Sequence, residues 1–187
     1  MKISKVLYCI LMIIILAGCA ENRAVLTTSD DVKILKPRII SMETMYFMGL
    51  GMRTSTGEEL LDVLWDDFKK REKEVESVKD PEKNWGLSFD FDQQADVMEF
   101  SYIACKQVLN PETVPQGMHL RELPAGKYAV FTHIGPYKSI GETYDYIYNN
   151  WIKRSGYDVE LKYELELYHK LKFGKSKTHV DIYIPIK

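Results

Sequence analysis

Two stretches of this chain lie 84 positions apart and read as copies of each other. Phe47, Gly51, Ser55, Gly57 and Glu58 recur as Phe131, Gly135, Ser139, Gly141 and Glu142. Five identities in twelve positions stand against about one expected from ordinary composition. A duplicated strand-turn-helix unit is expected to fold around an approximate two-fold axis, and the seam between its halves is a natural cleft.

Hydrophobic periodicity fills in the elements. Arg38 to Arg53 reads as strand with a break near Glu43 and Thr44. Ser55 and Glu58 form a capping-box pattern, in which hydroxyl and carboxylate would satisfy the open backbone donors of a helix start. Leu60, Leu61, Leu64, Trp65 and Phe68 then fall on one helical face. The charge run from Lys69 to Glu76 reads as a solvated helix end with pairs such as Lys70 and Glu74. Trp85 to Phe91 and Val97 to Val108 follow as strands joined by the polar turn Asp92 to Asp96.

The second half repeats the order. Leu120 to Tyr137 is expected to form a hairpin turning at Pro124-Ala125-Gly126-Lys127, and Ser139 with Glu142 repeats the capping box. A helix to about Ser155 carries the aromatic stripe Tyr144, Ile147, Tyr148, Trp151 and Ile152, and Gly156 stops it. Tyr163 to Tyr168 and His179 to Ile186 close the chain as strands. The expected class is therefore α+β: a duplicated β-hairpin–helix–two-strand unit with pseudo-two-fold symmetry, an antiparallel sheet and two long helices.

The N-terminus points to the cell envelope. Lys2 and Lys5 precede the apolar run Val6 to Leu16, far short of the roughly 20 residues of a membrane-spanning helix. The run ends in Leu16-Ala17-Gly18-Cys19, which resembles a bacterial lipobox. Residues 1–18 are thus expected to be a lipoprotein signal peptide, and Cys19 the lipidated residue carrying diacylglycerol and palmitate. Residues 19–36 read as a polar tether and 37–187 as the domain. The expected location is extracytoplasmic and lipid-anchored, with the membrane itself left open.

Charge and cysteine usage narrow the function classes. Loss of Lys2 and Lys5 leaves 23 basic and 27 acidic residues, a formal charge of −4. A weakly acidic body argues against nucleic acid as partner, since phosphate binding needs a basic stripe. With Cys9 removed and Cys19 acylated, only Cys105 remains, so no internal disulfide forms. His119, His133, His169 and His179 lie in separate segments without ligand spacing, so no metal is expected. Gly49-Leu50-Gly51 lacks the third glycine of a dinucleotide loop, and neither a phosphate loop nor a G-x-S-x-G elbow occurs. No cofactor is expected.

Strand parity singles out one carboxylate. In Tyr163 to Tyr168, Leu165 and Leu167 share a side with Tyr163, while Glu164, Glu166 and Tyr168 share the other. In the last strand Val180, Ile182, Ile184 and Ile186 oppose Asp181, Tyr183 and Pro185. With the aliphatic sides placed under the helices, the remaining surface combines acids with tyrosine rings and suits a cation. The alternative is a solvated sheet face on which Glu166 pairs with a lysine. Aligning the halves sets Gly86 and Ser88 against Glu164 and Glu166, which predicts one roomy wall and one charged wall.

Four strings carry a family resemblance: Glu122-Leu123-Pro124-Ala125-Gly126-Lys127-Tyr128-Ala129-Val130, Gly135-Pro136-Tyr137, Leu165-Glu166-Leu167-Tyr168, and Val180-Asp181-Ile182-Tyr183-Ile184-Pro185-Ile186. Over roughly Leu35 to Lys187 the chain resembles the GyrI-like, or AraC-type effector-binding, domain. The resemblance implies a duplicated α+β fold with a ligand cleft, an aromatic pocket for amphipathic and often cationic compounds, and a glutamate at its base that matches Glu166.

The expected ligand-binding residues are Glu166, Tyr168, Tyr183, Trp85, Tyr137, Tyr148 and Trp151. Three functions follow. The first is a membrane-anchored module that captures amphipathic small molecules, cations among them. The second is a hydrolase of strained, cyclopropanoid-type electrophiles, with Glu166 orienting or activating water as general base and Tyr168 or Tyr183 donating a hydrogen bond to the leaving oxygen. The third is an envelope protein-interaction module. Transcriptional control is not expected, since no helix-turn-helix pattern precedes the domain.

Overall fold

The computed structural model describes residues 25–27, 32–56, 60–94, 97–160, 162–169 and 178–187. The expected signal peptide and lipidated Cys19, and Gly57 and Glu58 of the repeated pattern, lie outside them. Nine described strands form a single antiparallel sheet: β1 Val25–Thr27, β2 Lys33–Met42, β3 Met45–Ser55, β4 Asn84–Gln94, β5 Val97–Val108, β6 His119–Leu123, β7 Gly126–Gly135, β8 Tyr163–Tyr168 and β9 Thr178–Ile186. Their order is β1-β2-β7-β9-β8-β4-β5-β3-β6. β2 opens at Lys33 and pairs with β1, so part of the stretch read as tether belongs to the sheet.

This architecture corrects the expected fold class. The molecule is dominated by its sheet, and the expected hairpins do not close. β2 pairs with β7 instead of β3, and β6 pairs with β3 instead of β7. Each short turn, Glu43-Thr44 and Pro124-Ala125, hands the chain on to a strand beyond hydrogen-bonding reach of the one before it. Sequence proximity favours a hairpin, but here partners distant in sequence cover the ladder.

The two long helices are corrected as well. α1 spans Leu61–Arg71, eleven residues, with Leu64, Trp65 and Phe68 buried. The second rod is broken into α2 Ile140–Tyr146, a π-helical turn Ile147–Trp151, and α3 Ile152–Ser155. Gly156, at φ 76°, takes the left-handed conformation that ends it. The second capping box does not form: Ser139 Oγ donates to the Pro136 carbonyl at 2.7 Å, and α1 is preceded by Leu60, which gives no side-chain cap. Among the described residues, no helix is long and apolar enough to cross a membrane.

The sheet buries both faces. One carries Ile34, Met48, Ala104, Phe131, Val180, Ile182 and Ile184 against Leu64, Trp65, Phe68 and Ile147 of the helices. The other buries Phe47, Trp85, Leu87, Ile103, Tyr128, Val130, Leu165, Leu167 and Tyr183 against one another. The aliphatic side of β8 therefore faces away from the helices, the reverse of the expectation. Register decides this: Glu166 pairs with Ile182, so the acidic side of β8 shares a face with the aliphatic side of β9.

Candidate functional site

At the centre of the sheet β4 and β8 lie side by side, with Gly86 opposite Glu166 and Ser88 opposite Glu164. Both glutamates point beneath the helices and are almost fully buried, at 8% and 7% exposure for Glu164 and Glu166. A Cβ on Gly86 would stand 2.0 Å from Tyr102 Oη and 3.1 Å from Glu166 Oε2. Only glycine leaves the hydroxyl room to reach the carboxylate.

Tyrosine hydroxyls surround the acids. Glu166 Oε2 accepts from Tyr168 Oη at 2.5 Å and from Tyr102 Oη at 3.3 Å, while Oε1 accepts from Tyr144 Oη at 2.9 Å. Tyr148 Oη donates to Glu164 Oε1. Tyr144 and Tyr148 stand one helical turn apart and reach down on β8 like two prongs. The π turn that begins at Ile147 carries Tyr148; such turns frequently mark functional sites. Opposite them, Trp65 of α1 sets its ring edgewise on Tyr168 at 5.3 Å, and Tyr137 lies 6.4 Å from the same ring. The N-terminal end of the second rod is held to the sheet by a 2.7 Å hydrogen bond between His133 Nδ1 and Thr143 Oγ1.

No cation partners either glutamate among the described residues. Burial pushes the Glu166 carboxyl up, against the hydrogen bonds from Tyr168, Tyr144 and Tyr102 that favour its charged form. Glu164 is pushed up to about 7, chiefly by burial; the Tyr148 hydrogen bond opposes the rise and the charge of Glu166 adds to it. Burial and the neighbouring carboxylate hold the hydroxyls of Tyr102, Tyr144 and Tyr168 well above their usual range, so they remain donors. The result is a desolvated pair of acids whose polar partners are neutral.

Of the expected site residues, Glu166, Tyr168, Tyr137 and Tyr148 come together here. Trp151 lies elsewhere on the helix side, edge-on to Phe131 at 5.1 Å and stacked on Tyr157. Trp85 and Tyr183 are on the opposite face of the sheet, 5.4 Å apart, because Trp85 pairs with Leu167 and Tyr183 with Leu165. Tyr102 and Trp65 were missed as site residues; Glu164 was expected on the charged wall without being named a binding residue, and Tyr144 was expected in the helical stripe. The Tyr144-Tyr148 spacing and the Glu164-Glu166 alternation were the available signals; nothing local marks Tyr102.

Comparison with known proteins adds three findings. Residues 35–187 match the GyrI-like small molecule binding domain. The chain is 31% identical over 157 residues to the transcriptional regulator BrlR of Pseudomonas aeruginosa, a match covering 83% of this chain and 57% of that protein. It therefore spans little more than half the length of this relative. Among solved structures, SAV2435 bound to tetraphenylphosphonium superposes with a TM-score of 0.61 at 15% identity, covering 81% of this chain and 93% of that one. EcmrR in a DNA complex gives 0.64 at 11%, covering 83% and 57%, and an integron cassette protein of Vibrio cholerae gives 0.59 at 18%, covering 83% and 99%. At these identities the likeness is one of fold.

Proposed function

The chain belongs to the GyrI-like small-molecule-binding domain family, and from that premise we propose that it is an envelope-tethered receptor for amphipathic cations. The observation that carries this reading is the buried Glu164-Glu166 pair, ringed by hydroxyls, without a cationic partner among the described residues. An uncompensated buried charge costs several kcal/mol, and a cation that enters beside it recovers part of that cost. The rings of Tyr144, Tyr148, Tyr168 and Trp65 add ~0.5–2 kcal/mol each wherever a face meets the cation. The binding of tetraphenylphosphonium, a lipophilic cation, by SAV2435 supports the same ligand class. Entry requires the Tyr144 and Tyr148 hydroxyls to give up their hold on the acids.

The test is calorimetric titration of the full chain with tetraphenylphosphonium. Glu166→Gln is expected to weaken binding by at least about tenfold, equivalent to ~1.4 kcal/mol. Equal affinity of variant and wild type would remove Glu166 from the site. The anchoring part rests on the lipobox ending at Cys19. Cys19→Ser is expected to abolish palmitate labelling and move the protein to the soluble fraction; a variant that stays labelled and membrane-bound would refute the anchor.

One observation favours a second reading. A carboxyl titrating near 7 beside a glutamate with a proton donor at 2.5 Å suits general acid–base chemistry on an electrophilic ligand. In that reading Glu166 activates water and Tyr168 donates to the leaving oxygen. Mass spectrometry of cyclopropanoid compounds after incubation separates the two, since capture returns every compound intact.

A further inference from the structure

At the end of the β8–β9 ladder three side chains with metal-binding chemistry converge. His169 follows β8 directly, and its amide donates to the His179 carbonyl at 3.3 Å, so the two histidines stand across from each other. Two residues further along, Asp181 pairs with Leu167. By strand alternation His169, His179 and Asp181 share one face, the side of Leu165 and Tyr183 and thus opposite to Glu166.

The side-chain geometry is close to a ligand set. One ligand atom from each residue lies within 4.8 Å of the other two, and His169 Nε2 is 3.1 Å from Asp181 Oδ2. The imidazole rings stand 4.4 Å apart. A zinc ion with ligand bonds of about 2.0–2.2 Å would draw such atoms slightly closer. Both histidines are exposed, while buried Asp181 is held by the Thr132 hydroxyl, 2.5 Å from its other oxygen. A hydrogen bond of that kind orients a ligating carboxylate and raises its competence.

We propose that His169, His179 and Asp181 form a binding site for a divalent transition-metal ion of the zinc class, clasping β8 to β9. Two imidazoles and one carboxylate suit zinc, nickel or copper more than magnesium or calcium, which prefer all-oxygen shells. Three protein ligands leave at least one position open toward solvent. Arg38 is the local competitor. Its guanidinium donates to Asp181 Oδ2 at 3.1 Å with 39% of the side chain exposed, and it must swing outward when a metal takes that oxygen.

The test is calorimetric titration of the chelator-treated full chain with zinc chloride. One ion per chain is expected. His169→Ala or His179→Ala should weaken binding by at least about tenfold, and Arg38→Gln should tighten it severalfold by removing the competitor. His119→Ala, far from the cluster, serves as the control and should leave the isotherm unchanged. No zinc binding by the wild type, or undiminished binding by the His169→Ala/His179→Ala double variant, would overturn the site. An Arg38→Gln affinity no tighter than wild type would overturn Asp181 as the third ligand.

Discussion

Strands β4 and β8 run side by side at the middle of the sheet, yet one brings Gly86 and Ser88 and the other Glu166 and Glu164. The two strands thus make unequal contributions to one site. The first supplies vacancy: the missing Cβ of Gly86 lets Tyr102 lean across to Glu166. The second supplies charge, and its own helix supplies the tyrosines that cover that charge. Paired strands need not carry like chemistry, because neighbouring strands fill complementary volumes when they meet.

The sharpest way to break this comparison is to fill the vacancy. Gly86→Val would drive a side chain into Tyr102 and Glu166, and overpacking of this kind should cost about 3 kcal/mol in urea denaturation. A Gly86→Val protein as stable as wild type would show that the roomy wall has no role.

Next in size is a pH effect on stability. The Glu164 carboxyl, raised to about 7 by burial, makes the folded chain hold more protons than the unfolded chain between about 4.5 and 7. Its contribution to stability is therefore greatest at low pH and is lost as pH rises through that window. Between pH 5 and 8 the loss should be on the order of 2 kcal/mol. His133 acts in the opposite sense, since burial lowers its pKa and favours the neutral ring, so its contribution grows with pH. Denaturation of Glu164→Gln at both pH values isolates the carboxyl: the variant should lose that part of the fall, keeping only the share of Glu166, whose carboxyl burial also raises, and the rise from His133. An identical pH profile in the variant would place the titration elsewhere.

Ligand affinity should respond to the same proton. Tetraphenylphosphonium binding is expected to strengthen by up to about tenfold from pH 6 to 8 as Glu164 ionises, and Glu164→Gln should abolish that gain. A wild-type affinity that does not change with pH would mean that Glu166 alone carries the charge. The smallest effect concerns the far face: Tyr183→Phe should change the affinity by less than about twofold, because its ring packs on Trp85 across the sheet from the acids. A large loss there would reverse the assignment of faces.

Much of the element pattern was legible beforehand. The break at Glu43-Thr44, the buried stripe of Leu64, Trp65 and Phe68, and the stop at Gly156 follow from periodicity and backbone preference, which act over a few residues. Glu166 could be singled out by strand alternation and by family resemblance. Trp85 and Tyr183 were misplaced because alternation says which residues of one strand share a side, but not which side of the next strand joins them. The π turn at Ile147–Trp151 left no recognised mark in a stripe that reads as ordinary helix.

The amino-acid sequence by itself determined most of the strand segments, the first helix, the family and the identity of the central acid, because these depend on local spacing and residue type. Only the tertiary structure decided that β2 pairs with β7 and β6 with β3, that Glu166 looks toward the helices with Ile182 while Tyr183 looks away, and that His169, His179 and Asp181 meet. The reason is physical: strand register is settled by hydrogen-bonded partners far apart along the chain, and a shift of one residue turns every side chain to the opposite face.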